Sequence, residues 1–88
     1  MARQSAQKRM EAAESVRKNI TYLMVLNDKT QPQVAEYLGI SVPTAQRKFS
    51  DPQRWTLEEL ISLSNLFNVS VGLIICGKIV FDKEEIRA

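Results

Sequence analysis

Histidine is absent from this 88-residue chain, and cysteine occurs once, as Cys76. Without histidine, Ser–His–Asp and Cys–His catalysis lack their base, and one thiol cannot assemble a zinc site. A lone cysteine also excludes an internal disulfide, which matches a reducing compartment. Glycine and proline are scarce, three of each, and no low-complexity linker is visible. The longest strongly apolar run, residues 73–81, is broken by Gly77 and Lys78 and falls far short of the ~20 residues of a membrane helix. The opening stretch MARQSAQKRMEAAE carries no apolar segment of the secretory kind. No nucleophile–base pair, metal set or phosphate loop stands out. The expectation is therefore a cytoplasmic chain that is not an enzyme, with no metal, no cofactor, no evident small-molecule ligand and no membrane contact.

What is present fits one small domain. The apolar share is 44%, ordinary for a globular chain, and this length suits a single folding unit. The net charge is only +2, but it is unevenly spread. Arg3, Lys8, Arg9, Arg17, Lys18 and Lys29 dominate the first third, and Arg47, Lys48 and Arg54 follow. From Trp55 onward acids outnumber bases. Such asymmetry suits a front half facing a polyanion and a back half facing a protein, although a plain solvated surface has the same composition.

Starts and stops of helices are well marked. Val16, Ile20, Leu23 and Asn27 share one helical stripe with Met24 beside it, predicting a long first helix beginning as early as Ala6. Asn27-Asp28 tolerates the left-handed conformation that ends it. Thr30-Gln31-Pro32-Gln33 reads as a capping box with proline in the first turn, opening a helix that points Val34, Ala35 and Leu38 inward and stops at Gly39. Only Ile40 separates Gly39 from Ser41, the next N-cap. Two helices joined so tightly form a helix-turn-helix. A further helix opens at Thr56-Leu57-Glu58-Glu59, with Trp55 stapled to Leu60, a buried stripe of Leu57, Leu60, Ile61, Ser64 and Phe67, and Asn68 as its left-handed stop.

The tail changes period. Leu73-Ile74-Ile75 and Ile79-Val80-Phe81 flank Cys76-Gly77-Lys78 and read as a short hairpin or one bent strand. Cys76 is expected to be a small buried hydrophobe.

The segment QPQVAEYLGISVPTAQRKF, residues 31–49, resembles the helix-turn-helix of the Cro/CI (XRE) family of phage and bacterial transcriptional regulators. Gln31, Ala35, Gly39, Ile40, Ser41 and Ala45 carry the match, which extends through WTLEELISLSNLFNVSV and back to Ile20 and Leu23. Lys29, Pro43 and Lys48 depart from the family's habit. The resemblance implies a mainly α, lambda-repressor-like bundle of four to five helices, here with a short C-terminal β-strand or hairpin. It divides the chain into a basic extension (1–14), a helix-turn-helix DNA-binding domain (15–72) and a strand-like tail (73–88) expected to dimerise.

Setting Ala45 inward turns Pro43, Arg47 and Ser50 outward, with Gln46 on one flank and Thr44 and Lys48 on the other. Such a face suits the major groove. The family positions for base contact fall on Ser41, Val42, Pro43, Gln46 and Arg47. Arg47 is the candidate for bidentate bonds to guanine and Gln46 for adenine. Gln31, at a helix N-terminus, and Lys48, Ser50, Gln53 and Arg54 are the candidates for phosphate. One helix reads few bases, so a homodimer on a pseudo-palindromic duplex operator is expected, with Leu73, Ile75, Ile79 and Phe81 as its interface. The functional expectation is a sequence-specific regulator, a repressor of the short Cro-like type, working in the bacterial cytoplasm or nucleoid if phage-encoded. The rival expectation is an antitoxin-like module that binds a partner protein through its apolar tail, with DNA binding secondary.

Overall fold

The structure is a computed structural model describing residues 2–77, with side chains described for residue 8 and from residue 10 onward. Five α-helices and one 3₁₀ turn make up the described chain: α1 (Ala2–Leu26), α2 (Gln31–Leu38), α3 (Val42–Ser50), the turn Pro52–Arg54, α4 (Leu57–Phe67) and α5 (Val71–Cys76). The chain is thus mainly helical, and no strand occurs among the described residues.

Every helix boundary read from the caps is present. The Thr30 hydroxyl accepts from the Gln33 N–H while the Gln33 side chain accepts from the Thr30 N–H, and Thr56 with Glu59 repeats the arrangement at α4. Ser41 and Ser70 cap α3 and α5. Three helices close with one geometry. Asp28, Gly39 and Asn68 adopt positive φ of 56°, 72° and 57°. In each case the next N–H reaches back to the last turn: Lys29 to the Met24 carbonyl, Ile40 to Ala35 and Val69 to Ser64. These are Schellman closures, and they satisfy carbonyls that a helix end otherwise leaves bare.

Gly39 is the one glycine in this set. A Cβ built there meets no atom within 4 Å, so any cost of a side chain is conformational and not steric. Gly39→Ala should lose about 1–2 kcal/mol, and Gly39→Asn less, because asparagine tolerates this region. Urea denaturation of the two variants checks both the size and the order.

The core gathers Val16, Ile20 and Leu23 from α1, Val34 from α2, Trp55 after the 3₁₀ turn, Leu63 and Phe67 from α4, and Ile74 from α5. Helix α1 begins earlier than the Ala6 expected, and Val16 is the first buried residue among those whose side chains are described. The boundary expected at residue 14 falls inside one continuous helix. Ala35 and Ala45 are both buried, and their small size lets α2 and α3 approach closely.

Three expectations need correction. The stripe of α4 is Leu60, Leu63, Ser64 and Phe67, whereas Leu57 and Ile61 are exposed by 65% and 44%. At about 100° per residue, Ile61 lies roughly 110° from the centre of that stripe, too far to share it. Leu73, Ile74 and Ile75 belong to helix α5 and not to a strand. Short apolar runs carry no decisive period. Among the described residues no strand offers it backbone bonds, while a helix supplies its own after the Ser70 cap. Cys76, finally, is exposed, its thiol donating to the Gly72 carbonyl at 3.3 Å. The other half of the expected hairpin, with Ile79 and Phe81, lies outside the described residues.

The end of α5 is satisfied by a residue that the sequence pattern did not single out. Asn19, buried on α1, directs its Nδ2 at the carbonyls of Leu73, Ile74 and Gly77, at 3.0, 2.9 and 2.8 Å. This contact joins α1 to α5, and the boundary expected at residue 72 falls inside helix α5.

Candidate nucleic-acid interface

Helix α3 is nine residues long and amphipathic, which makes it a shallow wedge. Its inner side is Ala45, fully buried, with Val42 and Phe49 partly buried. Phe49 meets Trp55 edge to face, with ring centroids 5.3 Å apart and planes at 80°. Its outer side presents Pro43, Thr44, Gln46, Arg47 and Ser50 to solvent. Packing thus holds one face so that the other is displayed. Arg47 and Lys48 in the last turn also complement the helix dipole.

Of the five positions expected to meet bases, Ser41, Pro43, Gln46 and Arg47 are exposed together and Val42 is half-buried at the start of the helix. The Ser41 hydroxyl is already engaged. It accepts from the Thr44 N–H at 3.2 Å and donates to the Thr44 hydroxyl at 2.8 Å, which leaves acceptor capacity only. Arg47, Gln46 and the Thr44 hydroxyl therefore supply the side-chain donors of this face.

The five phosphate candidates separate into groups. Gln31 and Ser50 line one groove of about 550 Å³, formed by the C-terminal part of α1, the turn after it and the end of α3. Arg17 and Lys29 line the same groove, two cations that sequence reading counted but did not place. Their separation in the sequence hides the fact that both border one groove. Arg17 is shared with Glu14 on its own helix. Gln53 lies elsewhere, in a smaller hollow with Ala12, Ala13, Val16 and Trp55. Arg54 is exposed and pairs with Asp51 at 3.3 Å, a surface contact of little energy that a phosphate can replace.

Lys48 is the exception. Its ammonium donates to Glu59 Oε1 at 2.8 Å and to the Arg54 carbonyl at 3.1 Å, and lies 5.8 Å from the Trp55 ring centroid. The Lys48 and Glu59 side chains are only 14% and 17% exposed. Lys48 is thus turned into the domain and not outward to a backbone.

Burial by itself raises the Glu59 pKa, but the bonds from Lys48 and Thr56, with the Lys48 charge, outweigh it and hold the carboxyl below its ordinary 4.5. A carboxylate with a depressed folded-state pKa contributes stability above its unfolded value and loses it as pH falls through the folded value. The domain should therefore weaken on acidification below 4.5. In Glu59→Gln, which keeps the capping acceptor, that part of the pH dependence should vanish. Urea midpoints across the acidic range for both proteins check this.

Of the tail residues expected at a dimer interface, Leu73 and Ile75 are half-buried on α5, and Ile79 and Phe81 lie outside the described residues. Among the described residues no helix is long and apolar enough to cross a membrane, and no group of three or more His, Cys, Asp or Glu side chains could hold a metal. No protein-family model, curated protein or solved structure matches the chain. Functional assignment therefore depends on the geometry of α2, α3 and the groove beside them.

Proposed function

We propose that this chain is a sequence-specific double-stranded DNA-binding regulator of the helix-turn-helix type, resembling the Cro/CI family and lambda-repressor-like in fold. Helix α3 enters the major groove. The observation that carries this reading is the display of Gln46 and Arg47, with Pro43, on the solvent side of a short helix whose opposite side is sealed by Ala45 and Phe49. B-form DNA admits a helix in its major groove, where an arginine fork matches guanine and a glutamine amide matches adenine. The groove holding Gln31, Ser50, Arg17 and Lys29 supports a phosphate path alongside, with the N–H groups of α2 adding a favourable dipole.

A homodimer on two half-sites about one helical turn apart is the corresponding assembly, and occupation of a promoter would make it a repressor. The antitoxin-like alternative draws less support, because half of the apolar tail it needs is folded into the domain, with Ile74 fully buried. Selection from random duplex DNA, at a stated salt concentration, tests the proposal. A recurrent motif with a dyad repeat supports it. Uniform recovery of all sequences refutes sequence-specific reading, and binding of none refutes the reading altogether.

A further inference from the structure

We propose that Lys48 is a positioning residue: it clamps the last turn of α3 to the start of α4 and so fixes the rotation at which Gln46 and Arg47 face the duplex. This rests on the reading of α3 as the DNA-facing helix.

Three observations converge on it. Glu59 Oε1 serves two masters, accepting from the Thr56 N–H at 3.0 Å as part of the α4 cap and from Lys48 at 2.8 Å. The clamp is therefore built onto the capping box of α4. The ammonium is also tied to the Arg54 carbonyl in the intervening turn, so one side chain touches α3, the turn and α4 together. Its third neighbour is the Trp55 ring, whose indole N–H has no acceptor among the described residues. The ring is thus held by packing against Phe49 and by the cation beside it.

The neighbours in sequence make this a matter of DNA reading. Lys48 directly follows Arg47, and α3 turns about 100° per residue, so a small rotation of its last turn re-aims the guanidinium. Two of the three Lys48 N–H groups are engaged inside the domain, and drawing the ammonium out to a phosphate would leave the mostly buried Glu59 carboxylate without its cation, which is unfavourable.

The test compares Lys48→Met, which keeps the apolar stem, with Lys48→Arg, which keeps the charge. It is run in the cold, where circular dichroism shows each protein folded. One readout needs no DNA: Trp55 is the only tryptophan, and its emission in Lys48→Met should shift and be restored in Lys48→Arg. The second is discrimination between the selected duplex and a scrambled one. In Lys48→Met this ratio should fall about tenfold, the scale of one misaligned base contact, with the salt slope of affinity unchanged and Lys48→Arg recovering most of the loss. A merely stabilising residue would leave the ratio of the folded protein unmoved, and that result overturns the proposal. A salt slope reduced by about one with discrimination intact makes Lys48 a phosphate contact and overturns it too. Should the unsubstituted protein discriminate between no duplexes, the DNA reading fails and takes the proposed role in recognition with it. The emission shift then still reports separately whether the clamp exists.

Discussion

Asn19→Ala is expected to destabilise the domain by about 2–4 kcal/mol, because the variant removes the buried amide shared by three carbonyls at the end of α5, of which, among the described residues, Leu73 alone keeps a second donor, the Gly77 N–H. Small domains hold only about 5–10 kcal/mol in total, so this is a large fraction. With a melting shift of about 4–8 °C per kcal/mol for a domain of this size, the midpoint should drop by roughly 10 °C or more. The loss has two sources. The amide is buried and well bonded, so its removal both leaves a small void and exposes the helix end to competition from water. It also frees α5, whose Ile74 is fully buried against the core. Asn19→Asp should be worse at neutral pH, since a carboxylate would face carbonyl oxygens with nothing to donate. Thermal denaturation followed by circular dichroism reads both variants. A change under about 1 kcal/mol in Asn19→Ala would mean that water replaces the amide at no cost, and that α5 is not tied to α1 in the way described.

Arg47→Ala should act on recognition and leave the fold alone. Arg47 is exposed and outside the core, so its removal should change stability by less than about 0.5 kcal/mol. Affinity for the preferred duplex should fall by about 1–3 kcal/mol, with choice relaxed at one base pair per half-site. Arg47→Lys should recover little of this, because an ammonium lacks the planar fork that meets two acceptors of one guanine. Titrations of the selected duplex and of single-base variants measure it. A loss equal on all sequences would place Arg47 on phosphate.

These two residues also show where the sequence is legible. Caps are local chemistry: Thr30, Ser41, Thr56 and the left-handed stops at Asp28, Gly39 and Asn68 involve partners within a few positions, so spacing suffices to find them. The inward face of α3 was equally readable, since Ala45, Phe49 and Val42 follow one period. Asn19 was not, because its partners lie more than fifty positions away, and a polar residue within an apolar stripe gives no hint of what it will meet. The pairing of Lys48 is hidden for a related reason: flank position and charge suggest solvent, and only the packing of the turn Pro52–Arg54 brings Glu59 within reach. Composition alone points the run at 73–75 toward a strand. Its helical state depends on Ser70 ahead of it and Asn19 across from it, two contacts of which one is tertiary.

The most direct measurement is amide chemical-shift mapping by NMR during titration with a selected duplex. Shifts are expected to concentrate at Ser41, Val42, Gln46 and Arg47, with a second set near Gln31 and Ser50, while the amides around Leu57 and Ile61 on α4 stay in place. Shifts centred on α4 or α5 with α3 undisturbed, or no shifts with any duplex, would contradict a DNA-facing α3.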